Sequence, residues 1–421
     1  MRLVYLTTGT GSFYCGSCMR DNALVVALRK RGHDALLVPM YLPLTLDEAS
    51  AAQNAPLFYG GINSYLQQIS PLFRKTPRWL DKLFDSPAAL ARAGKRAGMT
   101  KASELGSMTL SMLQGEEGNQ KKELERLVEW LALEKPDWVI LSNALLLGMG
   151  RQIKAKTGAK VACTLQGEDG FLDALGAPYR QRCWDTIAER AAELDALIAV
   201  SRYHADVMTQ RARLPQDKLH VVYNGIDLTG YPSQPTPPST PTIGYLARMC
   251  ATKGLGTLIE AFLLLGKRNP DVRLKVIGSQ VGYDATYVAE LTAKLAAAGL
   301  AERVSWHPNV SREEKIAHLK SLSVLSVPAT YGESFGLYII EALAAGVPVV
   351  QPRHGAFPEL LAQTGGGVLC DPDNPAALAT ALEALLADPQ AAAARGAEGQ
   401  QNVFARFSVE AMAQGVERVL A

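Results

Sequence analysis

Short apolar runs alternate with helix-patterned stretches from one end of this chain to the other. In the first half the runs are 3–7, 35–39, 138–142, 160–164, 196–200 and 219–223; in the second they are 242–246, 274–278, 304–307, 324–328 and 347–352. Runs this short and this continuously apolar suit strands covered on both faces, the environment of a parallel sheet with crossover helices. The alternation therefore predicts doubly wound α/β units. Between the two sets lies Pro232-Ser-Gln-Pro-Thr-Pro-Pro-Ser-Thr-Pro241, with five prolines in ten residues. Such a stretch cannot build a core element and reads as a stiff linker. It divides the chain into a first domain, 1–231, a linker, 232–241, and a second domain, 242–405. A closing helix over 406–421 ends an Ala-rich region that reads as three short helices.

Length and composition agree with this division. A chain of 421 residues suits two domains of about 200 residues each. With 48% hydrophobic and 20% charged residues it reads as globular. A formal net charge of +2 gives no argument for a nucleic-acid partner. Six cysteines in this length do not make a disulfide framework, and a reducing cytoplasm is the simplest setting. Met1-Arg-Leu-Val-Tyr-Leu-Thr-Thr8 reads as a first strand and not as a secretory signal. No apolar run approaches the roughly 20 residues that span a bilayer, which leaves peripheral membrane contact open. Residues 57–131 interrupt the alternation, and an insertion of that kind often shapes an acceptor site or lid. It carries Arg74, Lys75, Arg78, Lys82, Arg92, Lys95, Arg96 and Lys101. A solvated helix face is the simpler reading of these cations, and an anionic acceptor or lipid surface the other.

The most informative local segment is Tyr331-Gly-Glu-Ser-Phe-Gly-Leu-Tyr-Ile-Ile-Glu-Ala-Leu-Ala-Ala-Gly-Val-Pro348. Ser334 is a good N-cap, Gly346 a good C-terminal stop, and Pro348 lies just beyond. Glu341 is seven residues after Ser334, about two turns or roughly 10 Å along the same face. Between Glu333 and Glu341 lie the N–H groups of Phe335, Gly336 and Leu337, which can receive an anion. One helix could then meet a sugar at Glu333, a diphosphate at its mouth and a ribose at Glu341. A nucleotide sugar has that order.

Glu333-x7-Glu341 followed by Ala342-Leu-Ala-Ala-Gly-Val-Pro-Val-Val350 resembles the retaining glycosyltransferases of family 4, which have the GT-B fold. A second match is Gly244-Tyr-Leu-Ala-Arg248-Met-Cys-Ala-Thr-Lys253-Gly254, similar to the family's Arg-x4-Lys-Gly. Arg248 and Lys253 stand at the carboxyl end of a predicted strand, where α/β sheets bind ligands, and both suit a diphosphate. The resemblance implies two Rossmann-like domains facing across a cleft. It implies transfer from a nucleoside-diphosphate sugar donor to a hydroxyl acceptor, with retention of anomeric configuration and without cofactor or metal. In that reading Arg248 and Lys253 neutralise charge on the leaving diphosphate, Glu333 orients the donor sugar and Glu341 holds the ribose. Gly16, Gln166, Ser334, Phe335, Gly336 and Leu337 complete the donor site, and domain closure excludes water.

The first-half motifs depart from the family. Gly9-Thr-Gly-Ser-Phe-Tyr-Cys-Gly-Ser-Cys-Met-Arg-Asp-Asn22 has Cys15-Gly16 where the family has paired glycines facing the donor and acceptor. No acidic residue closes the next strand at the ribose position of a nicotinamide site. Cys15-Gly-Ser-Cys18 invites a zinc or redox reading, but no second closely spaced Cys or His pair follows, and two small residues in a tight loop is the simpler account. Leu165-Gln166-Gly-Glu168-Asp169-Gly170 carries Gln166 where the family usually has His, so this position cannot titrate. Glu168 and Asp169 read as a helix-start pair. Asp371-Pro-Asp373 precedes Asn374-Pro375, which reads as a cap and not a metal pair. A sugar-nucleotide epimerase of the same fold, and a non-catalytic binder or redox sensor, are the other readings.

Overall fold

A computed structural model describes residues 1–9, 15–46, 48–52, 55–77, 105–233 and 238–421, with Tyr283 by its backbone alone. Six of the eight insertion cations, from Arg78 to Lys101, and residues 234–237 of the Pro-rich stretch lie outside the described residues. The chain divides into two compact units, Met1–Tyr223 with Met412–Ala421, and Asn224–Ala411. The first division thus falls ahead of the Pro-rich stretch.

The first unit holds a sheet of β1 (Arg2–Thr8), β2 (Asp34–Met40), β3 (Trp138–Leu141), β4 (Lys160–Leu165), β5 (Ala196–Ala199) and β6 (Leu219–Val221). Its order is β2-β1-β3-β4-β5-β6, and every neighbouring pair is parallel. Leu3, Val4, Tyr5 and Leu6 are all buried, as a strand covered on both faces requires. The helix Lys121–Glu134 turns Leu124, Leu127, Val128 and Leu131 into this core at helical spacing. Much of the expected insertion is therefore core structure: this helix and Gly106–Gln114 pack inward rather than forming a lid.

The second unit repeats the plan with β7 (Thr242–Leu246), β8 (Arg273–Gly278), β9 (Val304–Pro308), β10 (Val324–Leu325), β11 (Val349–Pro352) and β12 (Gly367–Cys370), in the order β12-β11-β10-β7-β8-β9 and again all parallel. In each sheet the order reverses next to its first strand, at β1/β3 and at β7/β10. Loops leaving the carboxyl ends of those strands open a crevice, the usual ligand site of an open α/β sheet.

Three strand expectations need correction. β12 escaped notice because Gly365-Gly-Gly-Val-Leu-Cys370 is short and glycine-rich. β10 has two residues, not five, because the chain leaves the ladder before Pro328. β6 is an edge strand with His220 and Val221 exposed, so it is not buried on both faces.

The C-terminal region forms three helices, Pro375–Ala387, Pro389–Arg406 and Val409–Leu420, longer than expected. Asn374 caps the first, accepting from the Ala377 N–H at 3.0 Å with Pro375 at the first helical position. Within the first unit the last helix is tied down by Glu417, whose carboxylate takes both Arg31 Nε and Nη2 at 2.7 Å and His33 Nε2 at 2.9 Å. Gly415 lets this helix approach Val222: a Cβ there would stand 2.6 Å from Cγ1. Among the described residues no helix is long and apolar enough to cross a membrane.

Gly254 makes an approach of the same kind in the second unit. It lies at φ +73°, and a Cβ on it would fall 1.7 Å from the Pro328 carbonyl oxygen. Gly299 has a similar φ of +71° with nothing within 4 Å. Alanine at either position incurs left-handed strain of about 1–2 kcal/mol. Gly254→Ala should lose a further ~1–3 kcal/mol by forcing the two loops apart. Urea unfolding of the two variants checks this, and equal midpoints would show the approach is not tight.

Candidate functional site

The second-unit site grows from the reversal at β7/β10. The Tyr245 hydroxyl donates to the Arg248 carbonyl at 2.8 Å, which sets the path of the chain leaving β7. A short turn, Ala251–Lys253, leads through Gly254 into the helix Leu255–Gly266. The Thr330 N–H donates to the Thr252 carbonyl at 3.0 Å. That bond and the Gly254 approach join the loop after β7 to the loop after β10, and they bring Lys253 to Glu333, eighty residues later in the sequence. The Lys253 ammonium donates to the Glu333 carboxylate and to the Tyr331 hydroxyl. Tyr331 and Tyr338 direct their hydroxyls at the same carboxylate, at 3.2 and 3.3 Å. The Lys253 nitrogen also lies 5.1 Å from the Tyr331 ring centroid. Burial works against the Lys253 charge, but Glu333 and Tyr331 together outweigh it and hold the ammonium above its ordinary pKa. Glu333 is fixed from behind as well, its carbonyl accepting from the Ala356 N–H at 2.9 Å.

Arg248 is held differently. Its Nε and Nη2 donate to the two Asp284 oxygens at 3.0 and 2.9 Å. Asp284 is 4% exposed and also accepts from the Val281 N–H at 3.2 Å. The sequence reading missed Asp284. A carboxylate 36 residues away on another loop carries no signal until the sheet folds.

The helix bearing Glu341 runs from Leu337 to Ala344, not from Ser334. Gly336 sits at φ +96° and holds the cap position, so Ser334 lies upstream of the helix and does not cap it. The expected anion mouth shifts with it: Leu337 and Tyr338 precede the first helical bond, from the Ile339 N–H to the Gly336 carbonyl at 3.0 Å. Phe335 lies in the preceding loop. At the other end the expected stop is present. Gly346 has φ +77°, its N–H donates to the Leu343 carbonyl at 2.8 Å, and the Val347 N–H donates to Ala342 at 2.9 Å. Glu341 opens the second turn and pairs with Lys315 at 2.8 Å. Lys315 belongs to the helix Arg312–Leu319, whose start is set by the reciprocal Ser311–Glu314 capping box. Lys315 too was missed, for the same reason as Asp284.

The first unit places Gln166 at the carboxyl end of β4. Its amide nitrogen donates to Asp21 Oδ1 at 3.0 Å and to the Ser142 carbonyl at 2.7 Å. Both partners are acceptors here, which orients the amide and turns Oε1 away from them. Asp21 is fully buried and accepts from Thr7 Oγ1 at 2.7 Å and Arg20 Nη1 at 3.2 Å. Burial pushes its pKa up while Arg20 opposes the rise. Arg20 donates in turn to the Tyr5 hydroxyl at 2.5 Å. Glu168 and Asp169 stand at the start of the helix Asp169–Asp173, as expected, but Glu168 does more than mark it. Its buried carboxylate accepts from the N–H groups of Ala144, Gln166 and Gly167 at 2.5, 2.7 and 2.7 Å, which shapes the loop that presents Gln166. Gly16 is the first residue of the helix Gly16–Lys30. Ser201 caps the helix Arg202–Ala212 by accepting from the His204 N–H at 3.0 Å.

Residues 217–402 match the family model described as glycosyl transferases group 1, and residues 112–229 match that of glycosyltransferase family 4. The chain belongs to glycosyltransferase family 4. A D-inositol 3-phosphate glycosyltransferase of Xylanimonas cellulosilytica is 34% identical over 245 residues, 55% of this chain and 57% of that protein. The chain spans about half the length of the curated relatives it matches. Among solved structures, sucrose-phosphate synthase from Thermosynechococcus elongatus superposes with a TM-score of 0.72 at 19% identity, covering 100% of this chain and 98% of that one. HepE from Anabaena in complex with UDP-glucose gives 0.69 at 19% identity, covering 100% and 99%. At such identities these likenesses establish the fold, which is GT-B.

The Arg248–Asp284 contact gives Arg248 a structural role. Lysine cannot reproduce a two-pronged contact with one carboxylate. Arg248→Lys should lower unfolding free energy by about 1–3 kcal/mol, the size of a charge-assisted bond lost beside a buried group. Urea denaturation of the unliganded protein reads this directly, and an unchanged midpoint would show that Asp284 finds other partners.

Proposed function

We propose that this chain transfers a hexosyl group from a nucleoside-diphosphate sugar to a hydroxyl acceptor, with retention at the anomeric carbon and without a metal ion. The observation that carries this reading is the Lys253–Glu333 pair at the strand-order reversal of the second sheet, with Arg248 on the same loop and Glu341 on the helix that follows. The family membership supports the same reaction class. So does the fold likeness to HepE, a protein whose structure holds UDP-glucose.

In this reading the unliganded protein stores Lys253 and Glu333 against each other. An arriving diphosphate offers Lys253 a better partner than one carboxylate. Exchange of partners frees Glu333 oxygens to accept hydrogen bonds from the donor sugar. Arg248 is held at the strand end by Asp284, so it need not be reorganised when the bond to the leaving group breaks. Negative charge grows on the departing phosphate, and the two cations stabilise it. Gln166 cannot take a proton, so the departing phosphate itself receives the acceptor's proton. Glu341 accepts from the ribose hydroxyls, and Lys315 steadies its carboxylate.

Lys253→Ala should weaken donor binding and slow transfer by on the order of 1.5–3 kcal/mol, as expected when one charge-assisted hydrogen bond is lost. Glu341→Gln should mainly weaken binding of the free nucleoside diphosphate, whereas Glu333→Gln should lower turnover while that diphosphate still binds. Calorimetry with the free diphosphate separates the two, and equal loss in both variants would refute the division of roles. Transfer should also survive EDTA. Loss of activity in EDTA that a divalent ion restores would overturn the metal-free mechanism, and conversion of the donor to its epimer without acceptor would overturn the reaction class.

A further inference from the structure

Nothing in the proposed transfer uses the two thiols of Cys15-Gly-Ser-Cys18, yet the fold gives them unlike surroundings. Cys15 holds the cap position of the helix Gly16–Lys30, in an extended conformation with φ −120° and ψ 124°, and is half-buried. Cys18 lies in the first turn and is fully buried, its thiol 2.6 Å from the Thr8 carbonyl oxygen at the end of β1. A cap residue and the third residue of its helix face each other across the helix start, as the partners of a capping box do. A disulfide needs Cβ atoms about 3.5–4.5 Å apart, so a small adjustment of the cap residue closes the gap.

We propose that Cys15 and Cys18 form a redox-active dithiol, with Cys15 the nucleophile toward a hydroperoxide and Cys18 the thiol that closes an intrachain disulfide. Cys15 attacks as the thiolate on the peroxide oxygen. The O–O bond breaks, the leaving alkoxide or hydroxide takes a proton, and Cys15 becomes a sulfenic acid. Cys18 then gives up its proton, its sulfur attacks the Cys15 sulfur, and hydroxide departs as water. The two thiols supply two electrons, and the peroxide is reduced to an alcohol and water, or to two waters.

The electrostatics support the assignment of roles. The Cys18 side chain beside it lowers the Cys15 pKa, burial opposes this, and the N–H groups of Cys18 and Ser17 add to the lowering, so the net direction is down. Cys18 is pushed well up by the same contact and by burial, so it stays a thiol until Cys15 has reacted. Of the other cysteines, Cys163, Cys183 and Cys370 are buried, and burial raises each of them. A disulfide here would pin the backbone around Gly16. Any effect on the donor site rests on the transferase reading, whereas the thiol chemistry does not.

The test reads mass and not activity. Reductant-free protein is treated with stoichiometric hydrogen peroxide at neutral pH. The peptide 3–20, which trypsin releases between Arg2 and Arg20, should lose about 2 Da, the mass of two hydrogens, and dithiothreitol should restore it. In Cys18→Ser, dimedone should trap a sulfenic acid on Cys15. Cys15→Ser should show neither product. Alkylation of Cys15 by iodoacetamide should show a midpoint below the free-thiol value of about 8.5. Absence of both the disulfide and the dimedone adduct, or an alkylation midpoint near that of a free thiol at about 8.5, would overturn the proposal.

Discussion

The second-unit site depends on one close approach between two loops. Gly254 lies against the carbonyl of Pro328, and a side chain of any size would part them. That contact matters because of where the sheet places the loops. β7 and β10 are neighbours although β8 and β9 come between them in sequence, so their carboxyl ends diverge into a crevice. Glycine at a positive φ lets the chain turn from strand into helix within the space available. The consequence is electrostatic: Lys253 and Glu333 meet on a half-buried surface, where their interaction is stronger than it would be in water.

Each charge assigned to the donor has a partner within its own unit. Lys253 has Glu333, Arg248 has Asp284, and Glu341 has Lys315. Partly buried charges need such compensation, because desolvation would otherwise neutralise them or destabilise the fold. The pairs differ in what they permit. Arg248 is held by two bonds to a carboxylate that is itself anchored, which favours a fixed geometry. Lys253 shares its carboxylate with two tyrosine hydroxyls, so Glu333 keeps polar neighbours when the lysine turns to another anion. A site that must exchange partners during a reaction benefits from that asymmetry.

The first unit positions its polar side chain without a titrating base. Asp21, Arg20, Thr7 and Tyr5 form a buried polar network between β1 and the first helix, and Gln166 joins it through its amide nitrogen. Substituting Gln for the family's usual His replaces a group that can change charge with one whose orientation is set by two acceptors. The network then positions the side chain. In the proposed transfer the acceptor's proton goes to the departing phosphate.

The amino-acid sequence alone determined the α/β class and eleven of the twelve described strands, because apolar periodicity is a local property, and its short motifs singled out Arg248, Lys253, Glu333 and Glu341 as candidates. It also determined the Gly346 stop and the Asn374 cap, which are decided within a few residues. The strand β12 was not legible, since a glycine-rich edge segment has neither alternation nor bulk. Nor was the true helix start at Leu337, because Gly336 takes a left-handed conformation that Ser334 cannot override from two residues upstream. Only the tertiary structure decided what each charge touches. Asp284 and Lys315 lie tens of residues from their partners, Glu168 at its expected helix start also clamps a loop through three backbone N–H groups, and Cys15 and Cys18 acquired unequal environments from the end of β1 and the first helix. A parallel sheet brings distant loops together at the ends of its strands, and the crossover order that does so has no signature at any single position in the sequence.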